Sequence, residues 1–323
     1  MPKAVRFHTL GGPEVLQVED LPVGEPGAGQ ARIRHTAIGV NFVDTYHRSG
    51  LYPIPLPAVA GNEGAGVVEA VGAGVTDVKA GDRVAYTGLP GSYCEQRIVP
   101  ADRLVRLPEG ITEEQAASMM LKGLTVQYLI HSTYPVKRGE TVLWHAAAGG
   151  VGLIACQWLN ALGIIVIGTA GSDEKTALAA AHGATHVINY SKENFVERVR
   201  ALTGGAGVPV VYDGVGKTTW EGSLDSVRPR GLIVSFGNAS GPVPPVNLVI
   251  LSTKGSLYVT RPTLVTHIAS RADLVERSNS LFDVVKAGKV RIAPTKRYKL
   301  ADAQTAHRDL EGRRTTGSVV LLP

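Results

Sequence analysis

The clearest chemical signal in the 323-residue sequence is a glycine-rich stretch, HAAAGGVG, at residues 145–152. It follows an apolar, strand-like run and opens a helix-like run, which is the setting of the dinucleotide-binding pattern G-x-G-x-x-G. Ala147 takes the first glycine position, Gly149 the second and Gly152 the third. Gly149 lets the backbone approach a pyrophosphate, Gly152 lets helix and strand pack closely, and the helix N-terminus offers free N–H groups to phosphate. The stretch predicts a dinucleotide site. Its turn is expected to differ slightly from that of the G-x-G-x-x-G pattern, because Ala147 replaces the first glycine.

The residues after the next apolar run indicate which dinucleotide binds. NAD sites usually carry Asp or Glu at the tip of this strand to hold the ribose 2′-hydroxyl, and this tip has neither. Asp173 and Glu174 come next, but acids at a helix start interact favourably with the helix dipole, so we do not assign them to the ribose. Ser172 and Lys175 lie on one helical turn and can face the same side, where a hydroxyl and a cation suit a 2′-phosphate. Tyr190 follows the third strand and could add a donor, so the sequence predicts NADPH over NADH.

A second chemically capable group begins in the stretch GVNFVD at residues 39–44. Asn41 offers an amide, and Tyr46 and Tyr52 offer phenols, which can hydrogen-bond an oxygen on which charge builds during a reaction. Their aromatic faces can also stack on a flat molecule. We interpret Asp44 as a residue that orders the local loop rather than as an acid catalyst.

Metal ligands are scarce. The chain has nine histidines and two cysteines, Cys94 and Cys156. Asn41 and Asn62 are neutral amides, which are poor zinc ligands beside thiolate and imidazole, and Glu63 alone cannot make a site. The sequence therefore predicts no metal.

The predicted elements fall into two groups. The first part of the chain shows short strands, such as 31–37, 64–71 and 81–86, which predict a partly antiparallel β domain. From about residue 122 strands alternate with helices, which predicts a parallel sheet built from βαβ units. The predicted strands are 141–145, 164–169, 186–190, 208–212, 232–236 and 256–259, and the predicted helices are 150–162, 173–182 and 194–202. After residue 262 we predict a helix at 272–287, a strand at 297–300, a helix at 301–311 and a strand at 318–322, which return to the first domain.

Composition limits the class of partner. Net charge is +5, which fits an anionic ligand, but no Lys/Arg-rich run indicates nucleic-acid binding. Two cysteines exclude a disulfide framework and fit a reducing compartment. No apolar signal core begins the chain, and no apolar run reaches membrane-spanning length. We expect a cytoplasmic protein that has no membrane partner.

Several stretches together carry a family resemblance across essentially the whole chain: GGPEVL (11–16), AIGVNFVDTYHRSGLYP (37–53), AGDRVAY (80–86), KGLTVQYL (122–129), HAAAGGVGLIACQW (145–158), VINY (187–190), VVYDGVG (210–216), SFGNASG (235–241) and GSLYVTRP (255–262). The sequence resembles quinone oxidoreductases of the zeta-crystallin type, the zinc-free branch of the medium-chain dehydrogenase/reductase superfamily. The resemblance implies an α/β protein with a GroES-like, β-rich catalytic domain (1–122 and 263–323) and a Rossmann doubly wound parallel-sheet domain (123–262). It also implies NADPH as cofactor and a homodimer, for which the edge strand at 256–259 is a plausible contact.

The resemblance explains the amide at Asn41. Zinc relatives have a cysteine ligand there, a histidine at Asn62, and a third ligand near the domain junction, where this chain reads MMLK at 119–122. Without a Lewis acid the enzyme should favour acceptors that are already electrophilic, such as quinones and conjugated enones. The resemblance places Asn41, Tyr46 and Tyr52 in the active-site pocket beside the nicotinamide. We expect no dedicated proton donor, because a reduced quinone can take protons from water.

Motif matches also carry over a set of cofactor contacts. The loop 236–238 follows the fifth strand, at the carboxyl edge of the sheet where ligands of open α/β sheets bind. Arg313 resembles an arginine that reaches the cofactor from the C-terminal segment, although its neighbour Arg314 could do so instead, and Gln127 stands where an aromatic is expected. The predicted contacts are Asn41, Phe42, Tyr46, Thr125, Gly150, Val151, Gly171, Ser172, Lys175, Tyr190, Phe236, Gly237, Asn238, Ser240 and Arg313.

Three functions fit these observations. The first is NADPH-dependent, metal-free reduction of quinones. The second is reduction of α,β-unsaturated carbonyls, with quinone activity incidental. The third is an NADPH-dependent RNA-binding or structural protein of the zeta-crystallin kind, which the intact Asn41, Tyr46 and Tyr52 and the lack of a basic patch disfavour. The sequence leaves open the physiological acceptor and whether electrons move singly or as a hydride.

Overall fold

The computed structural model describes all residues from 1 to 323 and contains sixteen strands and ten α-helices. The strands are β1 (Lys3–Phe7), β2 (Gln17–Asp20), β3 (Gln30–Val40), β4 (Ala58–Val59), β5 (Glu63–Val71), β6 (Arg83–Thr87), β7 (Gln96–Pro100), β8 (Val105–Arg106), β9 (Thr141–Trp144), β10 (Ile165–Ala170), β11 (His186–Asn189), β12 (Val208–Asp213), β13 (Val227–Ser235), β14 (Tyr258–Thr260), β15 (Pro294–Lys299) and β16 (Ser318–Leu322). The helices are α1 (Phe42–Ser49), α2 (Glu113–Tyr128), α3 (Gly150–Ala161), α4 (Asp173–Ala181), α5 (Phe195–Leu202), α6 (Trp220–Ser226), α7 (Val249–Thr253), α8 (Leu264–His267), α9 (Arg271–Lys286) and α10 (Ala303–Glu311). No helix is long and apolar enough to cross a bilayer.

The chain forms two compact units. The first unit comprises residues 1–124, 267–286 and 292–323, and the second comprises 125–266 and 287–291. The sequence does not predict that residues 287–291 belong to the second unit, because this short segment has no apolar periodicity of its own.

The first unit is built on two β-sheets. The larger sheet has the order β15-β16-β3-β5-β6-β8, with β7 also paired to β3, and the smaller has the order β2-β1-β4. All of their pairs are antiparallel except β15 with β16. The C-terminal strand β16 pairs with β3, so the end of the chain does return to the first domain. The predicted partly antiparallel β domain is confirmed.

Two helices of the first unit are absent from the sequence prediction. Helix α1 begins directly after β3 because Asn41, in extended conformation, serves as its N-cap, and the Asp44 carboxylate in the first turn accepts the Asn41 backbone N–H at 2.8 Å. Asp44 therefore orders the first turn of a helix, where the sequence analysis expected a loop. Helix α2 begins with a similar arrangement, in which the Thr112 hydroxyl accepts the Gln115 N–H. The sequence contains both cap motifs, Asn41 with Asp44 and Thr112 with Gln115, which are signals of helix starts that the prediction leaves out.

The second unit is a six-stranded sheet of order β11-β10-β9-β12-β13-β14, parallel throughout. Its core packs Leu143 of β9, Ile167 of β10 and Ile233 of β13, all fully buried. Helices α3 and α4 are each followed by a left-handed glycine, Gly163 and Gly183, which stops the helix without steric cost. The predicted doubly wound parallel sheet is confirmed. The predicted strands and helices of this unit match observed elements with shifts of one or two residues at their ends, except that β13 begins five residues before the predicted start at residue 232. Helices α6 and α7 are absent from the sequence prediction.

A glycine at the end of β3 makes room for a buried acid of the first unit. A Cβ atom on Gly39 would lie 2.2 Å from Glu63 Oε2 and 2.3 Å from the Ala117 carbonyl oxygen. Neither neighbour can move freely, since one is a buried side chain and the other is backbone. Gly39 is thus required for close approach rather than for an unusual backbone conformation.

We expect Gly39→Ala to lower the free energy of unfolding by about 2 kcal/mol, because the added methyl group must displace packed atoms. Gly24→Ala is the matched control: Gly24 is exposed and a Cβ there would meet nothing within 4 Å. Urea denaturation followed by far-UV circular dichroism measures both. Equal stability of the two variants would show that the space at Gly39 is not needed.

Candidate functional site

A buried polar cluster of the first unit centres on the carboxylate of Glu63, at the start of β5. Glu63 is 0% exposed, and its oxygens accept from Leu121 N at 2.8 Å, from Asn41 Nδ2 at 2.9 Å and from Lys122 Nζ at 3.3 Å. The donors come from α2 and from the N-cap of α1. The carboxylate therefore holds two helices and one strand together, and it fixes the orientation of the Asn41 amide.

Asp44 is a second buried carboxylate in the same unit. It accepts from Asn41 N at 2.8 Å, Asn62 Nδ2 at 2.8 Å and the Tyr93 hydroxyl at 2.9 Å. Burial nevertheless disfavours its charged form and raises the pKa of Asp44 to about 6. Asp44 thus does more than order its own turn, because it connects α1 to two distant segments.

A chain of hydrogen bonds continues from Asp44 to the C-terminal helix. Arg48 Nη1 lies 2.9 Å from His307 Nδ1, and Tyr93 OH lies 3.1 Å from His307 Nε2. Because arginine only donates, His307 must accept at Nδ1 and carry its proton on Nε2, which it donates to Tyr93. Burial and the Arg48 charge lower the pKa of His307 to about 3, so the ring stays neutral. Arg48 is also ion-paired with Glu311 at 2.6 Å.

The aromatic residues predicted for catalysis lie on α1 and in the turn after it. The rings of Tyr46 and Tyr52 make an edge-on contact with centroids 5.2 Å apart, and Phe42 lies 6.3 Å from Tyr46. The Tyr52 N–H also bonds to the Tyr46 carbonyl at 3.1 Å. The structure thus brings Asn41, Phe42, Tyr46 and Tyr52 together on one short helix and its C-terminal turn.

The positions at which zinc relatives bind their metal do not fit zinc here. The structure contains no group of three His, Cys, Asp or Glu side chains that could hold a metal ion. The Asn41 and Asn62 amides point their NH₂ groups at carboxylates, and Glu63 is already paired with the Lys122 ammonium. A divalent cation would meet donors and a positive charge instead of lone pairs.

The glycine-rich turn of the second unit joins β9 to α3. Its left-handed residue is Ala146, with φ of 53°, rather than a glycine. The Cβ of Ala147 packs close to Gly168, and a Cβ on Gly152 would lie 2.4 Å from the Ala146 carbonyl oxygen. The turn thus has an alanine at its left-handed position, and Gly152 is needed for close packing. The N-terminus of α3, at Gly150 and Val151, directly follows this turn.

The tip of β10 carries the predicted phosphate-binding pair. Ser172 is the N-cap of α4, and its hydroxyl oxygen accepts the Lys175 N–H at 3.3 Å, which leaves the hydroxyl proton available to a ligand. Asp173 is engaged with Asn189 at 2.7 Å and with Lys192 at 2.5 Å. These bonds draw the Asp173 carboxylate towards β11 and the turn after it. Tyr190, directly after β11, packs its hydroxyl against Gly171.

The remaining predicted contacts lie in three places. Phe236, Gly237 and Asn238 follow the carboxyl end of β13, and the Phe236 ring packs 5.7 Å from Trp144. Ser240 donates its hydroxyl proton to the Val215 carbonyl at 2.9 Å. The other two are Thr125, which is buried in α2, and Arg313, which has a left-handed backbone after α10.

The neighbour of Arg313 has a structural partner. Arg314 is ion-paired with Asp309 at 3.5 Å. The contact of Arg313 with a cofactor stays a prediction.

Sequence reasoning missed the residues that organise the first unit. The sequence analysis considers Glu63 and Lys122 only as possible metal ligands and assigns neither of them a role. One signal was present: Lys122 is a lone charge in the otherwise apolar run MMLKGLTV, which favours a buried, paired lysine. Tyr93 and His307 gave no local signal, because they lie 214 residues apart.

Comparisons with known proteins agree with this architecture. Residues 27–109 match the family model described as the alcohol dehydrogenase GroES-like domain, and residues 150–277 match the one described as zinc-binding dehydrogenase. The chain is 58% identical to a quinone oxidoreductase of Pseudomonas aeruginosa over 100% of both chains, and 48% identical to a 2-haloacrylate reductase of Burkholderia over 100% of this chain and 99% of that one. The crystal structure of Escherichia coli quinone oxidoreductase complexed with NADPH superimposes with a TM-score of 0.97 at 51% identity, covering 99% of this chain and 100% of that one.

The GroES-like and parallel-sheet units together define a medium-chain dehydrogenase/reductase. Within that superfamily, the full-length identities show that the chain belongs to the quinone oxidoreductase family, its zinc-free branch. The expected resemblance is confirmed.

The raised pKa of Asp44 makes stability depend on pH. Between the ordinary value of 3.8 and about 6, the folded protein holds a proton that the unfolded chain releases, so stability falls as pH rises through this window. Relative to Asp44→Asn, we expect the wild-type free energy of unfolding to decrease by about 2 kcal/mol from pH 4 to pH 7, at about 1.4 kcal/mol per pKa unit. Denaturant titrations at several pH values measure the difference. Exposed Asp283→Asn is the control, and parallel pH profiles of wild type and Asp44→Asn would contradict the assignment.

Proposed function

We infer that this protein catalyses the NADPH-dependent reduction of quinones. The observation that carries the inference is the tip of β10, where Ser172 and Lys175 stand at a helix N-terminus. The nearest acid, Asp173, is held by Asn189 and Lys192, and this favours a 2′-phosphate over a free ribose hydroxyl. The full-length quinone oxidoreductase relatives and the NADPH complex of one of them support the same function.

The second unit holds the cofactor at the carboxyl edge of its parallel sheet. Gly152 permits the close packing of α3, whose N-terminal N–H groups bind the pyrophosphate. The Ser172 hydroxyl and the Lys175 ammonium bind the 2′-phosphate, with Tyr190 beside them. When bound, NADPH supplies the two electrons and one hydrogen of the reduction.

The first unit binds the acceptor. Asn41 is held by Glu63 with its amide fixed, and Tyr46 and Tyr52 offer phenol donors and aromatic faces from one rigid helix and turn. These groups align a flat acceptor and stabilise negative charge on its oxygen. Because zinc does not fit the donor set, the acceptor must be electrophilic by itself, as quinones are.

A second candidate reaction uses the same site. The chain is similar over its whole length to a 2-haloacrylate reductase, whose name indicates an activated, conjugated acceptor. An enone also places charge on one oxygen when it is reduced, so the same donors would serve. Quinone reduction remains the first proposal because the more similar relatives carry that name.

We expect NADPH to be oxidised rapidly in the presence of a small quinone, NADH much more slowly, and a chelator to change neither rate. Lys175→Ala should raise the KM for NADPH by about 10- to 100-fold and leave the KM for NADH unchanged. This fold-change corresponds to the free energy of one charge-assisted hydrogen bond. Loss of nicotinamide absorbance measures both. Lys137→Ala is the control, because Lys137 is an exposed lysine before β9, at the opposite edge of the sheet.

Each alternative result of this assay has a separate meaning. A preference for NADH would remove the phosphate site and leave the reductase in place. Oxidation with enones but not with quinones would establish the second candidate. Tyr46→Phe and Tyr52→Phe test the acceptor side, since turnover equal to that of the parent would exclude a role for the phenols in polarising the acceptor.

A homodimer and a cytoplasmic location complete the proposal. Strand β14 is an edge of the parallel sheet, and Tyr258 and Val259 on it are exposed, with Leu248 and Val249 of the preceding segment. Unpaired edges that carry apolar side chains are suited to pairing with a second copy. The cysteines are free and buried, which fits the reducing cytoplasm.

We expect sedimentation equilibrium to give twice the chain mass. Val259→Lys should shift the protein to the monomer, because a charge on the edge strand opposes strand pairing. Ile165→Lys at the start of β10, where the side chain is similarly exposed, is the control. A monomeric wild-type protein would contradict the dimer.

A further inference from the structure

The ammonium group of Lys122 is buried with few partners. Lys122 is 5% exposed, and Nζ makes one hydrogen bond, to Glu63 Oε2 at 3.3 Å. An ammonium has three N–H donors, so two are left after this bond. Burying a cation whose N–H donors are not all bonded lowers stability, so a role other than stabilisation is expected for it.

The position of the ammonium is set by the carboxylate that also holds Asn41. Asn41 Nδ2 and Lys122 Nζ both donate to Glu63 Oε2, so the two nitrogen atoms are neighbours. Glu63 itself is 0% exposed, whereas Asn41 and Lys122 each keep 5%. The acid is thus fully enclosed, whereas each of the two donor residues keeps a small accessible surface. Gly39 has no side chain and therefore leaves the space that the Glu63 carboxylate occupies.

We propose that Lys122 is a further catalytic residue, whose ammonium donates a hydrogen bond to the acceptor oxygen on which negative charge builds. The proposal rests on the proposed function and adds a cationic donor to the neutral donor Asn41. The net reaction converts a quinone to a hydroquinone with two electrons and one hydrogen from NADPH and one proton from water. Lys122 stabilises the oxyanion and keeps its own proton, so atoms and charges balance without it.

This role predicts a dependence on the acceptor. A strongly electrophilic quinone needs little help to accept charge, whereas an enone relies more on stabilisation of the developing oxyanion. Loss of the ammonium should therefore slow weak acceptors more than strong ones. A purely structural role would lower all rates by one common factor.

The decisive variant removes both charges of the buried pair. In Glu63→Gln/Lys122→Met no uncompensated charge is left inside the protein, so folding is preserved better than with Lys122→Met alone. We expect kcat/KM to fall about 10-fold for benzoquinone and about 100-fold or more for cyclohexenone. These losses correspond to the free energy of one hydrogen bond to a charged group. Glu63→Gln alone is the matched control for loss of the carboxylate, because it keeps the ammonium and should retain the parental ratio between the two acceptors. Since it leaves the buried ammonium without its carboxylate, its folding is compared with that of the wild type by far-UV circular dichroism. Equal loss for both acceptors in the double variant would overturn the proposal.

A binding experiment tests the same idea without turnover. The phenolate form of 4-nitrophenol mimics the hydroquinone anion, and its absorbance reports its protonation state. We expect the wild-type protein and Glu63→Gln to lower the apparent pKa of the bound phenol, and the double variant to lose at least about tenfold in preference for phenolate. No preference for phenolate in the wild-type protein would overturn the proposal. If quinones and enones are not reduced at all, the proposed function fails, while the phenolate titration still decides whether Lys122 binds an anionic oxygen.

Discussion

The structure of the first unit depends on one fully buried carboxylate. Glu63 accepts hydrogen bonds from the N-cap of α1 and from two consecutive residues of α2, and it lies at the first residue of β5. A buried acid is stable only when its lone pairs are satisfied, so these elements cannot shift independently. The helix that carries Asn41, Tyr46 and the following Tyr52 is thereby fixed at its N-terminal end.

A second network fixes the same helix along its length. Asp44 and Arg48 lie one turn apart on α1, and both connect through Tyr93 and His307 to distant segments. The proton positions along this chain are determined by arginine, which can only donate, and they leave His307 neutral. The candidate acceptor site is therefore built on a rigid element supported by polar bonds, an arrangement that suits preorganised donors.

The second unit follows a different principle, in which backbone geometry positions the ligand groups. Parallel strands place the turns after β9, β10, β11 and β13 at one edge of the sheet, and the predicted cofactor residues of this unit follow these strands. Helix N-termini and glycines provide the polar atoms and the space. Side-chain chemistry matters mainly at Ser172 and Lys175, where it distinguishes one dinucleotide from another.

The sequence alone determined the parallel sheet, the glycine-rich turn, the acid-free tip of β10 and the family, because each is encoded in a short, local pattern of apolar spacing or glycine positions. It also identified Asn41 as a substituted ligand position. Tertiary structure decided what surrounds that amide. Glu63 and Lys122 are 59 residues apart, and Arg48 and His307 are 259 residues apart, so no local pattern joins them. The pairing of β3 with β5 brings Asn41 to Glu63, the pairing of β3 with β16 brings the segment of Arg48 to that of His307, and α2 adds Lys122. Such long-range contacts place buried charges next to each other in a way that periodicity cannot reveal.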